Sequence, residues 1–414
     1  MVKRNSLILI LFLFIFTNTV FAADLYVWST ESTKIENNTT NEATNASSTV
    51  NEELKQENTL NLTCGSAILI EQNTGKVLYE HNAHEQLRPA SVTKVMSILL
   101  IMEALDEGRI TLDTQIPCSQ NASSMGGSQI WLDTTETLSV DEMLKAICVV
   151  SANDCTVAMA EYLSGSEEAF VQKMNERAKE LGMNDTVFKN CHGIDEEGHV
   201  TSSYDIALMS RELMKNHSKI TNYTTIWMDS LRDGQSELVN TNKLIRNYNG
   251  ATGLKTGSTS LAKYNLSATA TRDDLNLIAV IMKAETTKLR FEEAQKLLNY
   301  GFSNYSYKKF ASKGEILKEI EISKGAEEKI NCIFNEDAGA LVEKGKEMKV
   351  VQEVNIKDNL QAPIYMGDKI GEVSYSLNDE IINKIDIVAE KTIEKANLWN
   401  ITTKIFNIWF RVNR

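Results

Sequence analysis

Predicted β-strands at both ends of a helical segment constrain the fold of this 414-residue chain more than any other feature. Residues 64–82, CGSAILIEQNTGKVLYEHN, predict two strands around a turn at Asn73-Thr74-Gly75. Three more predicted strands, TGLKTGST, KYNLSATATRDD and LNLIAVIMKA, follow the helical segment, and a tight turn joins the last two. Because strands from both ends close one sheet, residues 61–304 predict an α+β domain with an antiparallel five-stranded sheet flanked by helices.

Amphipathic patterns predict the main helices between these strands. One helix begins after Pro89 and runs through Met102, and a second extends from about Val140 to Leu163, where apolar residues recur at helical spacing. Residues 168–182 predict a third helix, which ends at a glycine, the usual stop signal.

The N-terminal residues have the pattern of an export signal. Lys3 and Arg4 precede an apolar run from Leu7 to Phe16, and small residues follow near position 22. This predicts a signal peptide over 1–22, with a retained N-terminal anchor as the alternative, and places the mature protein at the outer face of the cytoplasmic membrane or in the cell wall space. Residues 23–60 are rich in Ser, Thr, Asn and Glu, which predicts a disordered linker.

The C-terminal part of the chain has a different pattern. Short alternating segments over 305–385, separated by Gly, Asp and Asn, predict a small all-β domain. Residues 386–414 predict an amphipathic helix, with four basic and no acidic residues from Lys395 onward. An in-plane anchor on an anionic membrane is the favoured interpretation, and a helix packed on the β domain is the alternative. Its apolar stripe consists of Leu398, Ile401, Ile405, Phe406, Ile408, Trp409, Phe410 and Val412.

Charge and cysteine content exclude several classes of protein. The formal charge is −13, and −15 once Lys3 and Arg4 leave with the signal peptide, so nucleic acid is not an expected partner. Six cysteines are too few for a disulfide scaffold, and the chain has no C-x-x-C pair or His-rich cluster that would indicate a metal site. The cysteines are interpreted as mostly buried thiols, with room for one or two disulfides.

The pattern Ser-x-x-Lys, which lets an amine reach a hydroxyl, occurs three times, at Ser91/Lys94, Ser260/Lys263 and Ser306/Lys309. The first pair starts a predicted helix, where residues three apart share a face and backbone N–H groups favour a developing oxyanion. The second pair lies in strand and turn sequence, where positions three apart point to opposite faces. The third has no further motif behind it. Ser91 and Lys94 are therefore the candidate nucleophile and base.

Two other short motifs strengthen this choice. Ser151-Ala152-Asn153 follows at the end of an apolar helical segment, although Ser-x-Asn also occurs elsewhere in the chain. Lys255-Thr256-Gly257 occurs once, at the start of a predicted strand, where glycine permits close approach of a ligand to the backbone.

These three motifs, in this order, resemble the signature of penicillin-binding proteins and serine β-lactamases. The surrounding segments SSMGGSQIWL, VVSANDCTVAMAEYLSG and NTNKLIRNYNGATGLKTGSTSLAKYNLSATATR resemble low-molecular-weight penicillin-binding proteins, the D-alanyl-D-alanine carboxypeptidases of serine peptidase family S11. The resemblance covers about residues 61–304 and implies a β-lactamase/transpeptidase-like domain. The β domain and amphipathic tail are similar to the usual C-terminal half of the family.

The resemblance implies catalysis through an acyl-enzyme, without a metal or organic cofactor. Ser91 would attack the carbonyl between the two terminal D-alanines of a peptidoglycan stem peptide, and water would then release the shortened peptide, which limits cross-linking. Lys94, crowded by Lys255 in a partly desolvated site, would act as base because both effects lower a lysine pKa. Which lysine takes the proton stays open. Ser151 would relay a proton to the leaving amine.

The resemblance also implies the substrate-binding residues Asn153, Lys255, Thr256, Gly257 and Ser258. The Asn153 amide would bind a substrate carbonyl and help hold Lys94, and the lysine and threonine would recognise the terminal carboxylate. The backbone N–H groups of Ser91 and Ser258 would form the oxyanion hole. The implied partners are stem peptides ending in D-Ala-D-Ala and β-lactam antibiotics, which would inhibit covalently.

Two alternatives belong to other functional classes. A class A β-lactamase needs a glutamate to activate the deacylating water, and the corresponding stretch, MNDTVFKNCHGID, contains none. A catalytically inactive wall-binding protein would not need all three motifs. Cys191 stands where the family usually has proline and Cys155 where it has a small residue, and both are interpreted as buried structural cysteines.

Overall fold

The computed structural model describes residues 60–346, 350–377, 380–397 and 402. The predicted signal peptide and nearly all of the predicted linker lie outside these residues, as does most of the predicted amphipathic helix. Within the part of the chain that is described, no helix combines the length and apolar character needed to cross a membrane.

The described residues contain sixteen strands, which are numbered in chain order. They are β1 (Ser66–Glu71), β2 (Val77–His81), β3 (Gln115–Pro117), β4 (Thr137–Ser139), β5 (Met228–Leu231), β6 (Ser236–Val239), β7 (Ala251–Thr259), β8 (Lys263–Arg272), β9 (Leu275–Ala284), β10 (Tyr305–Ala311), β11 (Ile316–Glu321), β12 (Lys329–Phe334), β13 (Ala338–Glu343), β14 (Val350–Ile356), β15 (Lys369–Leu377) and β16 (Glu380–Ala389).

Nine α-helices of the described residues are likewise numbered in chain order: α1 (Lys94–Asp106), α2 (Gln120–Ser123), α3 (Val140–Val149), α4 (Asn153–Ser164), α5 (Glu167–Glu180), α6 (Ser203–Asn216), α7 (Thr221–Thr224), α8 (Leu244–Asn247) and α9 (Thr287–Asn304). Short 3₁₀ helices cover Ala90–Thr93 and Ser218–Ile220.

The first two strands and three later ones form the predicted five-stranded sheet. Its order is β2-β1-β9-β8-β7, and every neighbouring pair is antiparallel. The hairpin between β8 and β9 turns at Asp273 and Asp274, both with positive φ, which acidic side chains tolerate better than bulky ones. The sequence-based prediction of an α+β domain with this sheet is confirmed.

Alternate residues of β1 supply two cores on the two faces of this sheet. Ile68 and Ile70 pack in the cluster that contains the buried faces of α1 and α3–α6. Ala67 and Leu69 belong to the opposite cluster, which contains the buried face of α9. The period of two in a strand therefore lets one buried segment hold helices on both sides.

The single helix predicted from about Val140 to Leu163 is wrong. The chain forms α3 and α4 instead, separated by a break in which Ser151 has φ +67°. The Ala152 N–H bonds to Ala146 O, and the Asn153 N–H bonds to Ser128 O, so neither amide continues the regular helix ladder. The break positions two site residues at the start of α4.

The second domain contains sheets that run from β10 onward. β10 pairs with β13, and the remaining strands form an antiparallel sheet in the order β11-β12-β16-β15-β14. The small all-β domain is confirmed, but its predicted end at residue 385 is wrong. β16 continues to Ala389 with alternate buried residues, and Lys395 still pairs with Gly325, so residues 386–397 belong to the β domain and not to a helix. Thr402, in a helix, is the one later residue that the structure describes.

Candidate active site

Ser91 lies in the 3₁₀ turn that leads directly into α1. The turn is held against the sheet because Asn265 Nδ2 on β8 donates to Arg88 O at 2.8 Å and to Pro89 O at 3.0 Å. From the other side, Gly193 lies so close that a Cβ there would be 1.9 Å from Ala90 O. The nucleophile is therefore fixed between the edge of the sheet and a loop that only glycine can bring so near.

Lys94 is fully buried at the first residue of α1, and its amine contacts three oxygens. Nζ lies 3.1 Å from Ser91 Oγ, 2.6 Å from Asn153 Oδ1 and 2.7 Å from His192 O. The predicted pairing of Ser91 with Lys94 is thus present, and Asn153 holds the lysine as expected.

The surroundings of Lys94 favour a neutral amine. Burial, and then the positive charge of Lys255, hold the pKa of Lys94 well below its usual value. The amide oxygen of Asn153 and the carbonyl of His192 can only accept hydrogen bonds, whereas a serine hydroxyl can donate. A neutral Lys94 therefore gives its two N–H groups to these two acceptors, and its lone pair faces the hydroxyl of Ser91.

Lys255 and Ser151 form a second amine–hydroxyl pair on the opposite wall. Lys255 Nζ donates to Ser151 Oγ at 2.8 Å and to Thr256 O at 3.0 Å. Both residues are buried, and burial lowers the pKa of Lys255 to about 7. The positive φ of Ser151 turns its hydroxyl out of the helix path and towards β7.

Asn153 connects Lys94 to the loop that contains Gly126 and Ser128. Its Oδ1 accepts a hydrogen bond from Lys94 Nζ, its Nδ2 donates to Gly126 O at 2.7 Å, and its backbone N–H donates to Ser128 O at 2.7 Å. An amide nitrogen has two hydrogens, so one N–H remains for a substrate carbonyl.

The strand β7 is the edge strand of the sheet and carries the other predicted substrate-binding residues. Thr256 shares a 2.7 Å hydrogen bond with Thr241, and Ser258 is exposed. A Cβ on Gly257 would lie 2.8 Å from Pro89 O and 2.9 Å from Ser91 N. Glycine thus lets β7 pass directly beside the nucleophile, and all eight predicted site residues line this cleft or its immediate walls.

The sequence analysis missed the loop that accepts a hydrogen bond from Lys94. His192 presents its carbonyl to the amine because Ser97 Oγ donates to Cys191 O at 2.6 Å and the Cys191 N–H donates to Glu167 Oε1 at 3.1 Å. A proline at position 191 has no N–H for Glu167, so the cysteine in this chain gains a bond. Burial lowers the pKa of His192 to about 3, which keeps the ring neutral.

Asp154 is the second residue that the sequence analysis missed. It has no exposed surface, and its carboxylate accepts backbone N–H groups from Ile130 at 3.0 Å, Leu132 at 3.1 Å and Cys155 at 2.9 Å. Its position directly after Ser-x-Asn is the only signal in the sequence that marks it.

All six cysteines are buried free thiols, so the disulfides for which the sequence left room do not form. Cys155 and Cys191 are both completely buried, as predicted, and burial raises the pKa of each thiol well above its usual value. Neither is a second nucleophile in the cleft.

Among the described residues, one group of side chains has metal-ligand chemistry. Glu103, Glu212 and His217 place ligand atoms within 4.8 Å of one another. Arg177 already pairs with Glu103 at 2.8 Å and with Glu212 at 2.7 Å, which accounts for the cluster without an ion. That the reaction needs no metal or organic cofactor stays a prediction.

Comparison with known proteins assigns families to both domains. Residues 50–286 match the family described as D-alanyl-D-alanine carboxypeptidase, and residues 305–395 match the C-terminal domain of penicillin-binding protein 5. The chain is 43% identical over 348 residues to the D-alanyl-D-alanine carboxypeptidase DacF of Bacillus subtilis (strain 168), which covers 83% of this chain and 89% of that protein.

Solved structures show the same likeness. Penicillin binding protein 5 from Haemophilus influenzae superposes with a TM-score of 0.67 at 29% identity, over 81% of this chain and 98% of that one. Penicillin-Binding Protein D2 from Listeria monocytogenes, in its ampicillin-bound form, matches with a TM-score of 0.54 at 30% identity, over 59% of this chain and 99% of that one.

Proposed function

Because this chain belongs to the D-alanyl-D-alanine carboxypeptidase family of serine peptidases, family S11, we propose that Ser91 is the nucleophile of its reaction. The protein is a serine-type D-alanyl-D-alanine carboxypeptidase and a low-molecular-weight penicillin-binding protein. Its substrate is the terminal D-Ala-D-Ala of peptidoglycan stem pentapeptides. The observation that carries the assignment of Ser91 is the contact of its hydroxyl with a buried lysine whose other two neighbours only accept hydrogen bonds.

Acylation begins with proton transfer from Ser91 Oγ to the lone pair of Lys94 Nζ. The Oγ–carbon bond forms as the proton moves, and the backbone N–H groups of Ser91 and Ser258 stabilise the oxyanion. Lys94 is the resting base in this scheme, because its lone pair faces the serine and Lys255 contacts Ser151 instead.

Departure of D-alanine completes the acyl-enzyme. The carbon–nitrogen bond breaks, and the leaving amine takes the proton of Ser151, which Lys255 replaces through its 2.8 Å hydrogen bond. Lys94 releases to solvent the proton that it took from Ser91, and Lys255 regains one, so both amines return to their starting states. Water then attacks the ester and gives a proton to Lys94, which passes it to Ser91 Oγ as the ester bond breaks and the shortened peptide leaves as a carboxylic acid.

Recognition of the substrate end uses charge. A lysine and a threonine hydroxyl on β7 suit a terminal carboxylate, since a cation and a hydroxyl donor both strengthen hydrogen bonds to it. The carboxylate itself raises the proton affinity of Lys255, so a lysine whose pKa is about 7 in the free protein becomes cationic when substrate binds.

Acylation by β-lactams follows from the same chemistry, and we expect the product to persist. The Glu167 carboxylate lies beside His192, but its Oε1 accepts the Cys191 N–H and lies 3.4 Å from His192 Nε2. This carboxylate holds the loop through these contacts. We therefore do not expect it to act as the general base that a class A β-lactamase requires.

D-alanine release from diacetyl-Lys-D-Ala-D-Ala, together with intact mass after penicillin treatment, tests these roles. We expect one D-alanine released per peptide and a stable penicillin adduct on the wild-type protein, with both lost in Ser91→Ala. Ser260→Ala is the matched control, because it removes the serine of a Ser-x-x-Lys pair outside the site. Rapid penicillin turnover would instead support a β-lactamase, and D-alanine release by folded Ser91→Ala would overturn the nucleophile.

We also propose that the mature enzyme is exported and lies on the outer face of the cytoplasmic membrane, held by the basic amphipathic segment that follows residue 397. Three basic and no acidic residues follow residue 397, which supports this position on an anionic surface. Co-sedimentation of the mature protein with phosphatidylglycerol vesicles, compared with a chain ending at Asn397, tests it. Equal sedimentation of the two proteins would contradict the proposal.

A further inference from the structure

Trp131 is the most exposed large apolar side chain among the described residues. Its exposed fraction is 77%, and its backbone has φ +55°, a region that bulky residues rarely adopt. A strained backbone and an exposed aromatic ring both lower the stability of a protein. The combination is therefore expected where surrounding contacts hold the backbone and a ligand binds the ring.

The segment around Trp131 is held by three hydrogen bonds from two side chains. Buried Asp154 accepts the N–H groups of the residues on either side, Ile130 at 3.0 Å and Leu132 at 3.1 Å. Arg232 Nη1 donates to Ile130 O at 2.9 Å. Ile130 and Leu132 are each 4% exposed, so the chain is buried on both sides while the indole between them faces solvent. These contacts hold the backbone at Trp131 in place while its ring stays exposed.

The residues that hold the Trp131 segment are connected to the predicted substrate-binding residue Asn153. Asp154 directly follows Asn153 in the chain, and Asn153 donates its backbone N–H to Ser128 O, three residues before Trp131. With the terminal carboxylate of a substrate on Lys255 and its scissile carbonyl at Ser91, a stem that continues past Asn153 would approach residues 126–131, because Asn153 bonds to Gly126 O and Ser128 O. An extended peptide advances about 3.3–3.6 Å per residue, so a few stem residues suffice to follow this segment.

We propose that Trp131 is a substrate-binding residue whose indole packs on the aliphatic parts of the stem-peptide residues that precede D-Ala-D-Ala. This inference rests on the proposed function. A tryptophan suits this role because its ring offers a large, rigid apolar surface and loses little conformational entropy on binding. Its indole N–H can hydrogen-bond to water when no substrate is bound. The contact favours longer stem peptides over the bare dipeptide and takes no part in the chemical steps.

The test compares acetyl-D-Ala-D-Ala with the pentapeptide L-Ala-γ-D-Glu-L-Lys-D-Ala-D-Ala, with D-alanine release as readout. Trp131→Asn removes the ring and keeps a residue that tolerates positive φ, so the loop is retained. We expect kcat/KM for the pentapeptide to fall about 3- to 10-fold, mainly through KM, while the dipeptide and penicillin acylation rates stay unchanged. Trp131→Phe should recover most of the loss.

Tyr365→Ala is the matched control, because it removes an exposed aromatic ring, 59% exposed, from the β domain. Equal effects of Trp131→Asn on both peptides, or none on either, would overturn the inference, since the ring would then act through the loop or not at all. A loss that appears only with a sugar-linked pentapeptide would also overturn it. Failure of the wild type to release D-alanine from either peptide would instead refute the proposed function.

Discussion

The two domains bury different kinds of side chain. Among the described residues, every buried polar or charged side chain other than tyrosine lies between Ser66 and Glu293, within the peptidase domain. The core of the β domain consists of Ala311, Ile322, Ile330, Cys332, Phe334, Ala338, Ala340, Val342, Ala362, Ile364, Ile370, Val373, Tyr375, Ile385, Ile387, Ala389 and Ile393. Polar burial costs free energy unless each group finds a partner, so the peptidase domain carries this cost where its chemistry requires it.

The buried amines of the site are paired, but buried polar atoms without a hydrogen-bond partner occur in both domains. Lys94 and Lys255 are buried in the peptidase domain, and each amine has at least two oxygen partners. The buried atoms without a partner are Ser164 Oγ and Arg290 Nε in the peptidase domain and the hydroxyls of Tyr307 and Tyr375 in the β domain. The domains therefore differ in how much polar surface they bury, and not in whether every buried group is paired.

The largest expected effect separates activity from stability. Lys94→Met removes the base and leaves an apolar side chain of similar size in a buried position, so kcat/KM for D-alanine release should fall about 10²- to 10⁴-fold. The melting temperature should change little, because the desolvation cost of a buried amine disappears while Asn153 Oδ1 and His192 O lose their donor. A large drop in melting temperature would show that the buried lysine supports the fold as well as the reaction.

Lys255 should make stability depend on pH. Its pKa is about 7 in the folded protein and near 10.4 in the unfolded chain, so between these values the unfolded chain binds the additional proton. The free energy of unfolding should therefore rise with pH across this window, by on the order of 4 kcal/mol relative to Lys255→Met. Denaturant unfolding of both proteins at pH 7, 8, 9 and 10 measures the difference and cancels the other titrating groups. Parallel curves would contradict the prediction.

A core substitution in the β domain should do the reverse of Lys94→Met. Ile387 has no exposed surface, and Ile387→Ala should cost about 2–5 kcal/mol of unfolding free energy through lost burial and a cavity. D-alanine release at 25 °C should be unchanged, because the site lies in the other domain. Calorimetry and kinetics on one preparation test both parts, and a matching loss of kcat would show that the domains are coupled.

The smallest effect concerns the unpaired hydroxyl of Tyr375, whose ring stacks on Phe310 at 4.4 Å between centroids. Tyr375→Phe keeps the stacking and removes the unsatisfied group, so stability should be unchanged or higher by up to about 1 kcal/mol. Removing a paired hydroxyl with Ser97→Ala, whose Oγ donates to Cys191 O, should be destabilising instead. Opposite signs for the changes in unfolding free energy would show that a buried hydroxyl stabilises the protein only where it has a hydrogen-bond partner.

The sequence predicted the sheet and the site motifs well because each depends on local patterns. The strand β9 is a long apolar run, Arg272-Asp273-Asp274 marks the turn between β8 and β9, and Ser91 and Lys94 lie three residues apart at the start of a helix. Their pairing follows from local geometry alone. The signal peptide, the linker and most of the C-terminal helix stay predictions.

What the sequence did not predict depends on distant contacts. The helix break at Ser151 has no glycine or proline to mark it, because the hydrogen bond from Lys255, 104 positions away, helps to fix the turn. The loop at His192 and the buried Asp154 act through bonds to Lys94 and Ile130, far away in the chain. The end of the β domain was missed because residues 386–397 carry acidic and basic residues that also suit a helix surface.

Gly257 has a consequence for antibiotic resistance. Any other residue at this position adds a carbon within 3 Å of the backbone around Ser91, so the strand would have to move away from the nucleophile. A mutation there that hinders β-lactam entry would displace the groups that bind D-Ala-D-Ala as well. The drug and the natural substrate both need glycine at this position. A substitution of Gly257 is therefore not expected to give resistance in an enzyme that stays active.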